Sequence, residues 1–521
     1  MARTFVYNTG SLKESIEDIH LQVGVFFDGT ANNRTNTMIR KKYYAIEEGK
    51  GQKPSPHEKR IYETIGKNST SFSNDFSNVA RQSFSTEPNQ YTIYVEGIGT
   101  MDKEKDDSDG LGFGVGKAGI RKKVRKGCEE LAKRIDTIVG DKKKSTKSMK
   151  IYLTIDVFGF SRGAAAARNF LHEINGNDKK NEIIKKGSIT YYKEERTIPN
   201  YGNNYQKVKY IKKKREALLD IDGEEVKKSQ YLMNNRYPKL GYLGYCLLSQ
   251  GILKKEELEA LSLDVRFVGL YDTVASYDKD KSLINGALSK GFDGAVKSLK
   301  LNDIGSFARA VHFTAMDEHR INFALTRLPK ISKVEEFDLP GVHSDIGGSY
   351  NNHPKKYKEK VTIEEHVSKK TIDILINILI KQGWYKGNQL EIDWSVLGYY
   401  LTGKRILSKA YSFIPLEFMD RMFKKIIDDK EKQSIFIKSK EVDKKYLIDG
   451  HPILIKSKRI LEGYVFDGKE KWIFKTNDKS ENTKLLKELR NHYLHWSAHY
   501  DEKVIGIPPM KPTSDRKRKE Y

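Results

Sequence analysis

Three residues of this 521-residue chain are of the types that carry out nucleophilic catalysis together: Ser161, Asp272 and His343. Each follows a short apolar stretch that is typical of a buried strand. A serine nucleophile needs a histidine to take its proton and a carboxylate to orient the imidazole ring. A lone aspartate or histidine at the end of a strand is more often structural. The three together, with glycines around them, favour a catalytic triad.

Ser161 lies in a G-x-S-x-G pattern between Gly159 and Gly163. The β-branched stretch before it predicts a strand, and the alanines at 164–167 predict a helix that packs closely on a sheet. A serine on such a sharp strand-to-helix turn has a strained backbone, so its neighbours must lack bulky side chains. Gly159 and Gly163 meet this requirement. The turn would point the Ser161 hydroxyl out of the carboxyl edge of the sheet.

Backbone N–H groups beside the serine would bind the oxyanion of an acyl-transfer reaction. The N–H of Arg162 is the first predicted donor, because it directly follows the nucleophile. The second donor is expected in the loop after the strand at 21–27, where Asp28 precedes Gly29 and Thr30. We therefore predict Gly29 or Thr30 as the second donor, with Asp28 in a supporting role. An Asx-type turn without a ligand is the alternative interpretation of this loop.

A second carboxylate, Asp345, lies two residues after His343 and could compete for the role of triad acid. Asp272 is preferred because it stands directly at the end of a predicted strand. Asp345 is then interpreted as a structural carboxylate near the base. The triad needs neither a metal nor an organic cofactor, so none is predicted. The two cysteines, Cys128 and Cys246, lie too far apart in sequence to indicate a disulfide framework or a cysteine metal site.

The elements that must position these residues are predicted to form an α/β-hydrolase fold, a mostly parallel sheet with helices on both faces. That fold supplies its triad in the chain order serine, acid, histidine, each from the carboxyl end of a strand, as here. The predicted strands lie at 21–27, 91–95, 151–157, 265–270 and 334–339, and the predicted helices at 78–81, 120–139, 163–168 and 307–312.

The rest of the chain is predicted as appended regions around this catalytic domain at 1–350. Residues 40–70 are expected to form a loop, and 175–239 a lysine-rich insertion. Residues 351–521 are expected to form a mainly helical cap, lid or partner-binding region. Its predicted elements are helices at 372–379, 418–426 and 485–494 and a hairpin at 453–474.

Basic residues outnumber acidic ones by 94 to 70, which gives a formal net charge of +24. Such an excess indicates an anionic partner or simply a lysine-rich surface. The densest basic run is interpreted first as a solvated excursion, with contact to a membrane or a partner as the alternative; it comprises Lys207, Lys209, Lys212, Lys213, Lys214 and Arg215. Nucleic acid is not expected, because the chain lacks RNP-like, helix-turn-helix and zinc-finger patterns.

The N-terminal stretch has no apolar core of the kind that a secretory signal peptide requires. Nor does the chain contain a run of about 18 apolar residues that would predict a spanning helix. We therefore expect a protein made in a reducing cytosol without a Sec signal.

Several motifs of the chain resemble, in order, those of the DUF2235 family of α/β-hydrolases, which includes the type VI secretion lipase effectors known as Tle1. Within residues 21–350 they are FFDGTANN, NVAR, GFSRGAAAAR, YDTVAS, MDEHR and GVHSDIGGSY, and YLHWS follows near the end. The resemblance implies a phospholipase, A1 or A2, that acts on bacterial membrane phospholipids. It implies Ser161 as nucleophile, Asp272 as acid and His343 as base.

The same resemblance implies export by type VI secretion into the envelope of a target cell. A VgrG-like spike protein and an immunity protein are then the expected partners, together with membrane phospholipid as substrate. One alternative is an α/β-hydrolase that acts on soluble or cell-wall esters. Another is a non-enzymatic basic scaffold that binds anionic lipid or nucleic acid. The oligomeric state is not predicted.

Overall fold

The computed structural model describes residues 16–46, 52–85, 92–143, 148–175, 182–197, 207–278, 283–284, 287–288, 291–351, 357–430, 445–501 and 510–521. Its strands are β1 (Ile16–Phe27), β2 (Thr92–Val95), β3 (Ser148–Phe160), β4 (Lys185–Thr197), β5 (Lys207–Leu219), β6 (Ser262–Tyr271), β7 (Leu283–Ile284), β8 (Ala287–Leu288), β9 (Arg309–Ala315), β10 (Val334–Leu339), β11 (Tyr357–Val367), β12 (Leu390–Ser395) and β13 (Gly398–Leu407).

The helices before residue 300 are α1 (Arg34–Tyr43), α2 (Pro56–Thr64), α3 (Thr70–Ser73), α4 (Asn78–Phe84), α5 (Ser108–Phe113), α6 (Ile120–Lys143), α7 (Arg162–Asn175), α8 (Gly241–Ser249), α9 (Lys255–Ala260) and α10 (Gly291–Ser298). Those after it are α11 (His343–Gly347), α12 (Lys369–Lys381), α13 (Phe413–Lys430), α14 (Pro452–Phe466) and α15 (Glu481–His492). None of the described helices is long and apolar enough to cross a membrane.

Six strands form a central sheet in the order β10-β9-β6-β3-β1-β2. The pairs β1–β2, β6–β9 and β9–β10 are parallel. Because parallel strands end at the same edge of a sheet, the residues after β1, β3 and β6 come to neighbouring positions there. This sheet, with helices around it, confirms the predicted α/β-hydrolase-like fold.

Helices cover both faces of the sheet, which explains why its strands are almost continuously apolar. Successive side chains of a strand point to opposite faces, so Phe26 and Phe27 of β1 mark the two sides. The Phe26 ring stacks on Phe158 of β3, whose ring centroid lies 5.5 Å from that of Phe423 in α13. On the other face, the Phe27 ring lies 5.3 Å from Phe170 of α7. The C-terminal helix α13 therefore belongs to the packing of the central sheet.

Contacts divide the chain into two compact units. The first comprises Met1–Leu21, Cys128–Thr154 and Glu173–Asp264. The second comprises Gln22–Gly127, Ile155–His172 and Val265–Tyr521, and it contains all three predicted triad residues. A catalytic domain that ends at residue 350 stays a prediction.

The lysine-rich insertion of the first unit contains a long two-stranded antiparallel ribbon, β4–β5. Its register runs from Lys185 opposite Leu219 to Thr197 opposite Lys207. A small apolar cluster in the same unit contains Ile184, Val226 and Tyr237. The sequence predicted the insertion but not its ribbon structure.

Two sequence predictions of element type were wrong. Residues 307–312 were expected to be helical, yet β9 occupies Arg309–Ala315 and pairs with β6 and β10. The apolar run there is short, and periodicity alone does not separate a buried strand from a helix. The hairpin predicted at 453–474 is also wrong, because helix α14 occupies Pro452–Phe466 and has Pro452 in its first turn, a favourable place for proline.

The predicted loop at 40–70 was also wrong, because α2 lies within it. Ser55 and Glu58 form a capping box at its start, a local signal that the sequence contains. In the C-terminal region, α12, α13 and α15 confirm the three predicted helical stretches. The antiparallel sheet β11-β13-β12 was not predicted.

Candidate active site

Ser161 lies on the sharp turn between the end of β3 and the start of α7. Its φ of +58° is in the left-handed region, which non-glycine residues rarely occupy. The turn is held from both sides of the backbone: the Ser161 N–H donates to the carbonyl of Tyr271 at 3.0 Å, and its carbonyl accepts from the N–H of Ala164 at 3.0 Å. Tyr271 directly precedes Asp272. The predicted nucleophile and the predicted acid are thus joined through the backbone.

The two glycines of the motif are required by close backbone approach. A Cβ on Gly163 would lie 2.2 Å from the carbonyl oxygen of Asp28. A Cβ on Gly159 would lie 2.6 Å from the Cα of Ala164. Side chains at either position would push the nucleophile turn away from the loop after β1 or from its own helix. This close approach is the physical reason for the small residues that the sequence analysis expects on either side of Ser161.

Asp272 and His343 form a buried pair. The Nδ1 atom of His343 lies 2.5 Å from Oδ2 of Asp272, and the two residues are 4% and 0% exposed. Asp272 directly follows β6, and its Oδ1 accepts from the N–H of Ala315 at 2.9 Å. His343 is the first residue of α11, in the loop after β10. The structure therefore brings these two predicted residues together.

Aromatic rings enclose the imidazole of His343. Its ring centroid lies 4.6 Å from that of Phe160 and 5.0 Å from that of Phe323. Phe160 is the residue before Ser161, so the imidazole packs against the strand end that carries the predicted nucleophile. Ser161, Asp272 and His343 all belong to this edge of the sheet.

An arginine that the sequence analysis did not single out completes the surroundings of Asp272. The guanidinium of Arg518 donates from Nη1 to Oδ1 at 2.6 Å and from Nη2 to Oδ2 at 2.9 Å. Arg518 is one of four successive basic residues in the polar stretch 516–519. No local pattern distinguishes it from its neighbours, so only the structure could identify it.

These partners set the protonation states of the pair. Burial alone would raise the pKa of Asp272, but the charge of Arg518 and the hydrogen bond with His343 outweigh it and hold that pKa well below its usual range. Burial lowers the pKa of His343 below its ordinary value, against the opposing effect of Asp272. At neutral pH the carboxylate is ionised and the imidazole neutral, as a general base requires.

Glu318, from the motif MDEHR, anchors the histidine loop. Its carboxylate accepts from the backbone N–H of His343 at 3.2 Å and from the hydroxyl of Ser497 at 3.0 Å. It also forms a buried ion pair with Arg320 at 2.8 Å. Burial raises the pKa of Glu318, but Arg320 outweighs it and holds that pKa well below its usual range. The motif was recognised in the sequence, but no role was predicted for Glu318.

The loop after β1 carries the two predicted second oxyanion donors. The N–H of Gly29 already donates to Oδ1 of Asp28 at 2.7 Å. No described residue accepts from the N–H of Thr30, while its hydroxyl accepts from Nε of Arg162 at 2.7 Å. The Arg162 side chain thus links the nucleophile turn to this loop. Of the two predicted donors, Gly29 is thus the one whose N–H is bound to a described residue.

Asp28 is buried among mostly uncharged donors. Besides Gly29, its carboxylate accepts from the hydroxyls of Ser77 at 2.5 Å and Tyr94 at 2.6 Å. Burial raises the pKa of Asp28 to about 6, and these hydrogen bonds oppose the shift only in part. This network holds the loop that leads to Thr30, which suits the supporting role predicted for Asp28.

Asp345 binds a different histidine. Its Oδ1 lies 2.7 Å from Nδ1 of His495, and its Oδ2 accepts from the backbone N–H groups of Val342 and His495, both at 3.0 Å. The carboxylate therefore ties the start of the His343 loop to the motif YLHWS. The imidazole that Asp345 binds is thus that of His495.

The predicted basic run lies on strand β5. Lys209, Lys212, Lys213 and Lys214 are exposed, whereas Arg215 is bound to Glu225 by two hydrogen bonds of 2.7 and 2.6 Å. The side chain of Lys207 lies outside the described part of the chain. Four of the six basic residues are thus available to an external partner.

No cluster of three or more metal-ligating side chains occurs among the residues that the structure describes. Cys128 and Cys246 are both buried.

Comparison with known proteins identifies relatives of the chain. A family model described as the catalytic domain of Tle1-like type VI secretion phospholipase effectors matches residues 22–377. The solved structure of the Tle1 effector bound to the VgrG spike is similar over 100% of this chain and 98% of that chain, with 18% identity and a TM-score of 0.52. An uncharacterised protein from Pseudomonas aeruginosa has 14% identity and a TM-score of 0.34, over 90% and 52% of the two chains. No curated protein matches the chain.

The raised pKa of Asp28 predicts a specific dependence of stability on pH. The group titrates near its ordinary value of 3.8 when unfolded and at about 6 when folded, so its contribution to stability is lost as the pH rises through that interval. The side chain of Asp28→Asn does not titrate, so the variant does not lose this contribution. The free energy of unfolding of the variant minus that of the wild type should therefore increase by about 3 kcal/mol from pH 3.5 to pH 7. Urea unfolding of both proteins across this range measures the difference. A constant difference would contradict the shift.

Proposed function

The chain belongs to the Tle1-like family of type VI secretion phospholipase effectors, and from this premise we propose that it cleaves an acyl ester of bacterial membrane phospholipids, as a phospholipase A1 or A2. The observation that carries the proposal is the buried pair of Asp272 and His343, 2.5 Å apart beside the strained turn of Ser161. The family match covers residues 22–377, which include all three.

The proposed reaction proceeds through an acyl-enzyme. His343 takes the proton of Ser161 as the hydroxyl attacks the acyl carbonyl, and then gives it to the departing lysophospholipid alcohol. A water molecule, activated by the same histidine, attacks the acyl-enzyme and releases the fatty acid. Asp272 accepts the Nδ1–H of His343, which fixes the tautomer and leaves Nε2 free to act as base.

The oxyanion of each tetrahedral intermediate is assigned to the N–H groups of Arg162 and Thr30. Arg162 is the first residue of α7, and the first N–H groups of a helix have no acceptor within the helix. The hydrogen bond of 2.7 Å from Nε of Arg162 to the Thr30 hydroxyl holds the two donors in one assembly. Loss of one such donor typically lowers turnover about 10²–10³-fold.

The ribbon β4–β5 is proposed as the element that meets the lipid surface. Tyr192 and Tyr210 are 66% and 65% exposed, and Lys212 lies directly opposite Tyr192. Tyrosine favours the headgroup level of a bilayer, and lysine is attracted to anionic lipids. Exposed tyrosines between lysines on one ribbon suit both contacts.

Delivery and partners follow from the family. Tle1-like effectors are delivered by the type VI secretion system, and the solved relative is bound to a VgrG spike. We propose a VgrG-like spike and an immunity protein as partners of this chain, and the envelope of a target cell as its destination.

The test of the activity is Ser161→Ala. Purified wild type should release a fatty acid from positionally labelled phospholipid, and the label should show which chain is cleaved. The variant should lose this release and its labelling by a fluorophosphonate, while its thermal midpoint stays nearly unchanged. Labelling that persists in Ser161→Ala would point to another nucleophile. Cleavage of short aryl esters without cleavage of phospholipid vesicles would favour the alternative of soluble or cell-wall esters.

The identity of the acid is tested by comparing two aspartates. Asp272→Asn should keep the geometry but favour the wrong tautomer of His343, with a loss of turnover of roughly 10⁴-fold by analogy with serine proteases. Asp345→Asn should lower turnover less and the free energy of unfolding more, because its partner is His495. Turnover on a soluble ester and urea unfolding give both rankings. The reverse order would make Asp345 the acid.

The lipid contact is tested by replacing the five lysines of β5 with glutamine and leaving the paired Arg215 in place. Each lysine near an anionic leaflet contributes about 1 kcal/mol of attraction, screened over about a Debye length. Wild-type activity should therefore be higher on anionic than on neutral vesicles and fall as salt rises. The variant should lose this dependence but keep its hydrolysis of a soluble ester, because none of the five belongs to the triad.

The matched control removes the same charge elsewhere, from five exposed lysines: Lys59, Lys67, Lys297, Lys370 and Lys475. It should keep the dependence on anionic lipid. If both variants lose the dependence on anionic lipid, the net charge of the protein and not the ribbon is responsible. If neither changes the activity, the basic run is only a solvated surface.

A further inference from the structure

The last residues of the chain run along the loop between β9 and β10. The N–H of Ile321 donates to the carbonyl of Lys511, and the N–H of Leu325 to that of Lys519, both at 2.9 Å. The N–H of Tyr521 in turn donates to the carbonyl of Leu325 at 2.8 Å. The tail at 510–521 is therefore attached to this loop by backbone hydrogen bonds at both ends.

Arg518 directs its side chain from this tail to the predicted acid. Both arms of the guanidinium bind Asp272, at 2.6 and 2.9 Å, and the Arg518 side chain is only 6% exposed. The guanidinium itself is held in place, because Nε donates to the carbonyl of Phe323 at 2.8 Å and Nη1 to that of Ala315 at 3.2 Å. A planar fork held at three nitrogens fixes the plane of the carboxylate that it binds.

We propose that Arg518 is a positioning residue of the hydrolase, which orients the Asp272 carboxylate toward His343, so that the C-terminal tail completes the active site. This inference rests on the proposed function. Each oxygen of Asp272 has two partners: Oδ1 binds Arg518 and the N–H of Ala315, and Oδ2 binds Arg518 and Nδ1 of His343. Without the Arg518 guanidinium, the carboxylate keeps the hydrogen bond from the N–H of Ala315 and the one with His343. It can then rotate away from the imidazole.

The ion pair also sets how strongly the base attracts a proton. The charged groups that face the imidazole of His343 are Asp272, Glu318 and Arg320, and Arg518 faces it through Asp272. Glu318 and Arg320 form their own ion pair. Arg518 balances the charge of Asp272 in the same way. Its loss would leave the aspartate charge unbalanced next to the imidazole and favour the protonated histidine.

A purely structural role would make Arg518 one of several anchors of the tail. Glu520 binds Arg327 through two hydrogen bonds of 2.9 and 2.8 Å, and Arg516 binds Glu364 at 2.6 Å. Arg516 lies two residues from Arg518 and contacts no triad residue among those described. Arg516→Gln therefore supplies a matched control that weakens the tail without touching Asp272.

The experiment measures kcat and KM for a soluble short-chain ester from pH 5 to pH 9 in Arg518→Gln, Arg518→Lys and Arg516→Gln. Arg518→Gln should lower kcat at least tenfold with little change in KM, and should move the acid limb of the profile to higher pH by roughly one unit. Arg518→Lys keeps the positive charge but loses the planar guanidinium with its two parallel hydrogen bonds. The acid limb of its pH profile should therefore stay near that of the wild type, while its kcat should be several-fold lower. Arg516→Gln should match the wild type in both.

A titration of the His343 imidazole followed by NMR needs no substrate and separates this inference from the proposed function. The midpoint should be higher in Arg518→Gln than in the wild type, whether or not the protein cleaves phospholipid. Wild type that cleaves only soluble esters would overturn the phospholipase proposal and leave this test in force. An unchanged midpoint and kcat in Arg518→Gln would overturn the role of Arg518. If Arg518→Gln does not fold, the role of Arg518 would be overturned by a kcat of Arg518→Lys equal to that of the wild type.

Discussion

The carboxylate of Asp272 is the constraint on which the site depends. Burial of an ionised group costs several kcal/mol unless hydrogen bonds and an opposite charge compensate for it. Here the compensation comes from three distant parts of the chain: the N–H of Ala315 in β9, the imidazole of His343 and the guanidinium of Arg518. The sheet edge, the histidine loop and the C-terminal tail must therefore assemble together around this one group.

The pKa values of two buried aspartates shift in opposite directions because their hydrogen-bond donors differ in charge. Asp28 is bound mainly by neutral donors, two hydroxyls and a backbone N–H, so burial prevails and its pKa rises to about 6. Asp272 is bound by a guanidinium, so the charge prevails and its pKa falls well below the usual range. An acid that must stay ionised beside a histidine needs the second environment. A carboxylate that only holds a loop tolerates the first.

Phe160 explains why small residues recur around the predicted nucleophile. A Cβ on Gly29 would lie 2.4 Å from this ring, and one on Gly347 would lie 2.0 Å from it. The same ring packs 4.6 Å from that of His343. Phe160 therefore lies between the loop after β1 and the loop of His343, and the glycines of FDGT and DIGG allow both loops to approach its ring.

The sequence by itself determined the features that depend on local pattern. Apolar runs and glycine spacing, which short windows of sequence contain, predict the G-x-S-x-G turn at Ser161, the strand that precedes Asp272 and the order of the three proposed triad residues. Only the tertiary structure decided the rest. The run at 307–312 became a strand because β6 and β10 flank it, and Arg518 meets Asp272 across 246 positions of the chain. Neither outcome is encoded near the residues concerned, because strand pairing and the burial of a charge are settled by partners that only the folded chain brings into contact.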